Sequence, residues 1–237
     1  MTPARYLARW ELEDVRGVVV VVDVLRAFTT AAYAFASGAS AIWLVGTVEE
    51  ALDLSREIPD ALTMGEEHGR RPDGFDFSNS PVGVASADLE GRVLVQRTSA
   101  GTQGAIAAKN AERLFASSLV CASATAKAVR DSGLGVPTYV ITGRFPDSPD
   151  GGEDDLVTAQ LIERARLGDV LETTTTRDAV ASSVWAQKLG ERDPNDVHQD
   201  DIAYSVDVDR FDFAMEVERI DTRLRLVARE VDLGLRH

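Results

Sequence analysis

The chain has 237 residues, 44% hydrophobic and 27% charged, ordinary globular proportions that exclude intrinsic disorder for its bulk. Lys plus Arg total 25 against 39 Asp plus Glu, a formal charge of −14, so the basic face that a nucleic acid or an anionic membrane requires is missing. One cysteine, Cys121, allows no internal disulfide and too few thiolates for a zinc site; with no apolar leader and no apolar run near the roughly 20 residues of a membrane span, the chain reads as cytoplasmic.

Short apolar runs alternate with helical stretches, the pattern of an α/β protein. Gly17–Asp23 (GVVVVVD) is a continuous β-branched run, predicting a strand buried on both faces. The Ala-rich stretch Arg26–Ser37 reads as a helix stopped by Gly38, and Ala41–Val45 as the next strand. Thr47 and Glu50 stand three apart as a capping box, opening a helix to about Glu57. Ala61–Met64 reads as a short strand, followed by a long polar loop over Gly65–Pro81, a length usually reserved for function or mobility. Arg92–Gln96 is a strand entering the turn Arg97-Thr-Ser-Ala-Gly-Thr-Gln-Gly, with a helix over Ala105–Asn110. Further on, Leu114–Ala116 and Val136–Thr142 read as strands, and Ala122–Asp131 and Asp154–Leu167 as helices. Polar helices over Arg177–Leu189 and near Asp196–Val206 precede an alternating pair, Phe213–Ile220 and Arg223–Val227, which predicts a terminal hairpin turning at Asp221-Thr222.

In open α/β sheets, sites form at the carboxyl ends of strands. Four segments carry polar groups there: Asp23 with Arg26; Gly65-Glu66-Glu67; Thr98-Ser99-Ala100-Gly101-Thr102; and Gly151-Gly152-Glu153-Asp154-Asp155. Each also has a purely structural reading, Asp23 as a helix cap and the Glu153–Asp155 run as a complement to a helix dipole. Carboxylates at strand ends suit Mg²⁺, a hard ion that takes oxygen ligands, whereas helix-terminal amides and arginines suit phosphate. Several phosphatase chemistries fail by subtraction. Asp23-Val24-Leu25 lacks the second acid of an Asp-x-Asp motif, and six residues beyond Cys121 stands Lys127 rather than Arg. Of three histidines, His68, His198 and His237, none sits in an Arg-His-Gly motif, and no Gly-x₄-Gly-Lys-Ser/Thr loop occurs.

Taken together, these blocks are recognisable. Asp23-Val24-Leu25-Arg26-Ala27-Phe28-Thr29-Thr30, the Gly65-Glu66-Glu67-His68-Gly69 turn running to Gly74-Phe75-Asp76-Phe77-Ser78-Asn79-Ser80-Pro81, the Thr98–Thr102 loop and the Glu153-Asp154 pair agree in order and spacing with a known pattern. On these residues the chain resembles the 2-phosphosulfolactate phosphatase family of coenzyme M biosynthesis. It departs at Ser99-Ala100, where Thr-Asn is usual, and at Ser78, where Gly is usual.

The resemblance implies a three-layer α/β/α sandwich with a mixed, largely buried sheet. It implies a single domain over residues 1–237, with a core over about 17–168 and C-terminal helices and a hairpin over 169–237. The activity it implies is Mg²⁺-dependent hydrolysis of (2R)-2-phospho-3-sulfolactate to 3-sulfolactate and phosphate, a small anionic substrate; a homo-oligomer is allowed, and neither nucleic acid nor membrane is a partner. Asp23, Glu66 and Asp154, with Glu153, are expected to hold the metal. Arg26 and the backbone around Thr98, Ser99, Gly101 and Thr102 are expected to receive the phosphate, Asn79 and Ser80 to orient substrate, and Arg97 or Arg144 to meet its carboxylate or sulfonate. Asp23 as a covalent nucleophile and attack by an activated water both remain open, as do another phosphorylated acid as substrate and a non-catalytic anion-binding role.

Overall fold

The computed structural model describes residues 3–148 and 150–234; His237 lies outside the described residues. In chain order the strands are β1 (Arg5–Leu7), β2 (Val18–Val22), β3 (Ala41–Leu44), β4 (Leu62–Gly65), β5 (Phe77–Ser78), β6 (Val93–Arg97), β7 (Arg113–Ser117), β8 (Thr138–Ile141), β9 (Phe213–Ile220) and β10 (Arg223–Glu230). The helices are α1 (Ala27–Ala36), α2 (Val48–Glu57), α3 (Pro81–Ala85), α4 (Gly101–Ala107), α5 (Ala122–Asp131), α6 (Glu153–Leu167), α7 (Thr174–Ala181), α8 (Val184–Gly190) and α9 (Asp201–Ser205). The α/β reading holds, and several local signals are met in place. The five valines of β2 are all fully buried, worth about 1.5–2 kcal/mol each in apolar burial. The Thr47–Glu50 capping box forms in both directions, Glu50 N–H to Thr47 Oγ1 at 3.1 Å and Thr47 N–H to Glu50 Oε2 at 3.2 Å.

Two expectations need correction, and two elements were not foreseen. The single helix read over Arg177–Leu189 is two, α7 and α8, because Ser183 caps a fresh start by accepting from Ala186 N–H at 3.1 Å. The helix read from Ala105 begins four residues earlier, at Gly101. Neither β1 nor α3 had a periodic signature to announce it; α3 is one short turn with Pro81 at its first position and Ser80 as its cap.

All ten strands form one sheet in the order β1-β8-β2-β7-β9-β10-β3-β6-β4-β5. The C-terminal hairpin β9–β10 sits in its middle, pairing antiparallel with β7 on one side and β3 on the other. The two flanking groups are each parallel within themselves, and the hairpin sets them running in opposite senses. Flat, β2 and β6 would stand about 24 Å apart, five steps at roughly 4.8 Å. Instead, Gln96 Nε2 of β6 donates to Ala27 O, just beyond β2, at 2.9 Å. The sheet therefore twists and curls until its two halves face each other. Inside the curl lies α1, whose residues Ala27 to Phe35 are all buried, as befits an apolar helix enclosed on every side. Helix α4 touches β2 of one half and β3 of the other, and α5 and α6 cover the outer face around β2 and β8. The curl thus brings the carboxyl ends of β2, β4, β6 and β8 to one place. No helix among the described residues is long and apolar enough to cross a membrane.

Candidate active site

At that convergence lies a cleft of about 300 Å³. Its floor is acidic. Asp23 directly follows β2; its Oδ1 accepts from Ala27 N–H at 2.9 Å and its Oδ2 from the Thr142 hydroxyl at 3.1 Å. Burial pushes the Asp23 carboxyl up to about 6, with the Glu66 charge adding to the rise and the Ala27, Thr142 and Gly101 hydrogen bonds opposing it. Asp154, in the first turn of α6 and only 3% exposed, is pushed up to about 7, first by burial and then by the charges of Asp23 and Glu153. Its Oδ1 is buried and has no hydrogen-bond partner among the described residues.

Asp155 is a third acid, singled out in the sequence only as part of its run. Its Oδ1 accepts from Val24 N–H at 2.9 Å and its Oδ2 from Gly143 N–H at 2.8 Å, and the one Thr142 hydroxyl proton is shared between this Oδ2 and Asp23 Oδ2, each at 3.1 Å. Burial raises its carboxyl well above the ordinary range, and Asp154 and Asp23 raise it further. With both oxygens engaged, Asp155 ties the ends of β2 and β8 together beside the other two acids.

Glu66 reaches the cleft from the end of β4, and three donors fix it. Its Oε1 accepts from Ser99 N–H at 2.5 Å, and its Oε2 from Gly69 N–H at 2.6 Å and the Ser99 hydroxyl at 3.0 Å. The Thr98–Thr102 turn is therefore not the open amide cradle expected for phosphate. The Ser99 N–H holds Glu66, the Thr102 N–H bonds Thr98 Oγ1 at 3.0 Å, and the Thr98 N–H returns to Thr102 Oγ1 at 2.9 Å. Thr98 and Thr102 thus lock the turn beneath the cleft, while Ser99 and Ala100 line it. Gly101 is required by close approach. A Cβ there would stand 2.7 Å from Ala27 Cβ and 2.9 Å from Asp23 Oδ2.

Arg26 is the buried cation of the site, 3% exposed, with Nη1 on Asp201 Oδ2 at 2.5 Å and on Asp196 O at 3.1 Å. Burial lowers its pKa, the Asp201 charge opposes this, and the nearby Arg192 adds to the lowering. Its Nε is buried without a partner among the described residues. Asp201 is also bonded by Ser80 Oγ at 2.6 Å and His198 N–H at 2.9 Å. Ser80 therefore serves Asp201 and does not line the cleft, whereas Asn79 does, with a buried, unpartnered Oδ1 among the described residues.

Other expected site residues face elsewhere. Glu153 turns from the acids, its Oε1 accepting from Val184 N–H at 2.7 Å, where it anchors the start of α8. Arg97 spends its guanidinium on Glu66 O at 2.8 Å and on Glu67 at 2.8 Å, and Arg144 donates to Tyr6 O at 2.9 Å. Neither lines the cleft. Arg192, Trp185 and Leu189, from α8 and the loop after it, do, together with Leu25 and Phe145. No motif marked them; a lone Arg in a polar stretch carries no spacing signal.

A family model for 2-phosphosulpholactate phosphatase matches residues 5–219, a span that includes every residue of the cleft. The chain belongs to the 2-phosphosulfolactate phosphatase family. It is 33% identical to a probable 2-phosphosulfolactate phosphatase of Bacillus subtilis over 84% of this chain and 86% of that protein. A probable 2-phosphosulfolactate phosphatase of Thermus thermophilus is 36% identical over 69% of this chain and 68% of its own, and one of Thermoplasma acidophilum is 31% identical over 73% and 77%. Family membership and the acid-floored, arginine-bearing cleft rest on different observations, the first on the sequence and the second on the geometry.

A divalent cation can be tested against this donor set. Among the described residues no three of His, Cys, Asp and Glu converge as a ready metal cage. Mg²⁺ does not need one: it keeps several waters and takes one or two carboxylates plus substrate phosphate oxygens. Asp23 and Asp154, two buried acids that raise each other's energy when ionised, one with an unpartnered oxygen, fit that requirement.

Proposed function

We propose that this protein is a Mg²⁺-dependent phosphomonoesterase acting on 2-phospho-3-sulfolactate. The observation that carries the reading is the meeting of Asp23 and Asp154 with the Asp201-fixed Arg26 in one cleft of a chain of this family. Asp23 and Asp154 would hold the ion, and Glu66 adds negative charge beside Asp23. The metal, when bound, supplies Lewis-acid polarisation of a phosphoryl oxygen.

The chain's own groups do the rest. Arg26 places a rigid guanidinium at the phosphoryl oxygens, where charge spreads in a loose transition state, and its ion pair with Asp201 prevents it from collapsing onto the floor acids. The Ala27 N–H and Thr142 hydroxyl hold the Asp23 carboxylate in one orientation, so no reorganisation is needed when the substrate arrives. Hydrolysis breaks the P–O ester bond. Water supplies OH to phosphorus and H to the departing alkoxide, releasing phosphate and 3-sulfolactate. Leu25, Phe145, Trp185 and Leu189 limit the water that can reach the bound ester.

The test is phosphate release from 2-phospho-3-sulfolactate and a panel of other 2-phospho acids, with Mg²⁺ or with EDTA, alongside calorimetric titration of Mg²⁺ into wild type, Asp23→Asn and Asp154→Asn. The reading expects release only with metal, and weaker Mg²⁺ binding in both variants. Full activity in EDTA, with metal absence verified by elemental analysis, sinks the metal; no release from any ester sinks the enzyme.

A further inference from the structure

Neither Arg97, which donates to Glu66 O and pairs with Glu67, nor Arg144, which donates to Tyr6 O, lines the cleft, so a substrate with a second anionic group needs another cation. The cleft holds one. The Arg192 guanidinium lines it and makes no hydrogen bond or ion pair among the described residues. It lies over the Glu66 turn at Gly69, which has a left-handed backbone (φ +82°) and where a Cβ would collide with the guanidinium. Its charge reaches Arg26.

Two guanidiniums in one small cleft repel; Glu66, the nearest acid, is held by Ser99 and Gly69 and forms no ion pair with either guanidinium among the described residues, so an added anion is the natural complement. Nor is Arg192 merely splayed on the surface. Its helix α8 is anchored at the start by Glu153 and by the Ser183 cap. The loop beyond is pinned through Asp196, whose carbonyl accepts from Arg26 and whose Oδ1 accepts from Arg71 N–H at 2.8 Å. Placement comes from this framework and leaves the charge available.

We propose that Arg192 binds the non-reacting anionic group of the substrate, a carboxylate or sulfonate, while Arg26 takes the phosphate. This rests on the phosphomonoesterase reading and adds to it the residue that selects substrates bearing a second anion. A charge-assisted contact of this kind corresponds to about 10- to 150-fold in affinity.

The experiment compares wild type, Arg192→Ala and Arg192→Lys on three esters: methyl phosphate, 2-phospholactate and 2-phospho-3-sulfolactate. For Arg192→Ala we expect KM to rise about 10- to 150-fold on the esters with a second anion, kcat to stay within about threefold, and methyl phosphate to be unaffected. Arg192→Lys should recover part of the loss. A KM change on 2-phospholactate assigns the carboxylate; a change confined to 2-phospho-3-sulfolactate assigns the sulfonate. An equal KM rise on methyl phosphate, or no change on any ester, overturns the proposal. Calorimetric titration of 3-sulfolactate into wild type and Arg192→Ala reads the same contact without turnover. Should wild type hydrolyse none of the esters, the phosphatase reading falls and this titration still decides Arg192: equal affinities, or no binding to wild type, overturn its role.

Discussion

Replacing Asp154 by Asn should make the metal-free protein more stable while removing its function. An Asp in an unfolded chain titrates near 3.8, whereas Asp154 in the folded protein is pushed up to about 7. Between those values the folded state holds a proton that the unfolded state has released, so stability falls as pH rises through this window, and the full cost is present above pH 7. Ionising a carboxyl displaced that far costs the fold roughly 4 kcal/mol, an upper figure because Asp23 and Asp155 share the same electrostatic strain. Asn carries no charge to bury. Since Asp154 Oδ1 has no partner to lose among the described residues, the exchange costs at most about 1 kcal/mol in hydrogen bonding.

We therefore expect Asp154→Asn to be about 2–4 kcal/mol more stable than wild type at pH 8 in EDTA, a rise in Tm of roughly 5–15 °C, and to match wild type within about 1 kcal/mol near pH 4. Mg²⁺ should close the gap by stabilising wild type alone, by about 2.7 kcal/mol at one hundred times Kd. Differential scanning calorimetry at pH 4, 6 and 8, with EDTA and with Mg²⁺, measures all of this. A variant no more stable than wild type at pH 8, or one equally stabilised at pH 4, refutes the claim that buried charge at Asp154 strains the metal-free site.

Gly101→Val should destabilise the fold by about 1–3 kcal/mol in urea melts and lower activity at least 100-fold, since its side chain must displace Ala27 and the Asp23 carboxylate. Retention of wild-type turnover would show that Asp23 need not stand where it does. Asp201→Ala leaves Arg26 buried without its counter-charge and should cost about 3–5 kcal/mol, whereas replacing both Arg26 and Asp201 by apolar residues should recover much of that stability without activity. Urea melts of the single and double variants give the coupling, and an additive result removes the ion pair from the account. Arg97→Ala and Arg144→Ala should leave the ratio of kcat/KM between 2-phospho-3-sulfolactate and 2-phospholactate within about threefold of wild type, because neither side chain lines the cleft; a larger shift in either variant would place that residue on the substrate.

What was legible in the sequence was whatever depends on neighbours in the chain. Five consecutive valines must be buried on both faces, Thr47 and Glu50 close a capping box on themselves, and an Asp at a strand end before a helix lies where helix amides can receive it. The Thr98–Thr102 block belongs here too, because Thr98 and Thr102 bond to each other within the turn. Illegible were the contacts made by the curl. Nothing in Phe213–Ile220 and Arg223–Glu230 says that a last hairpin enters the centre of the sheet and reverses one half against the other.

That insertion decides which strand ends meet, and so which charges share a site. Arg97 follows Gln96 at the end of a strand pointing at the cleft, which makes it an attractive ligand on paper. Yet its own turn supplies Glu66 O and Glu67 as nearer partners, and a guanidinium with five donors takes what is closest. Arg26 is the opposite case. Its partner Asp201 lies 175 residues away, on a helix too short to have a period, and the pair is buried because α9 closes over α3 beside it. In a chain of net charge −14 an arginine is rarely short of acids. On the reading proposed above, the cations that would serve an anionic substrate are those kept from the floor acids by geometry, Arg26 by its fixed pairing with Asp201 and Arg192 by having no partner among the described residues. Composition alone opposes an anionic ligand; on the proposed reading the arrangement of two side chains would reverse that locally, and only the folded chain carries that arrangement.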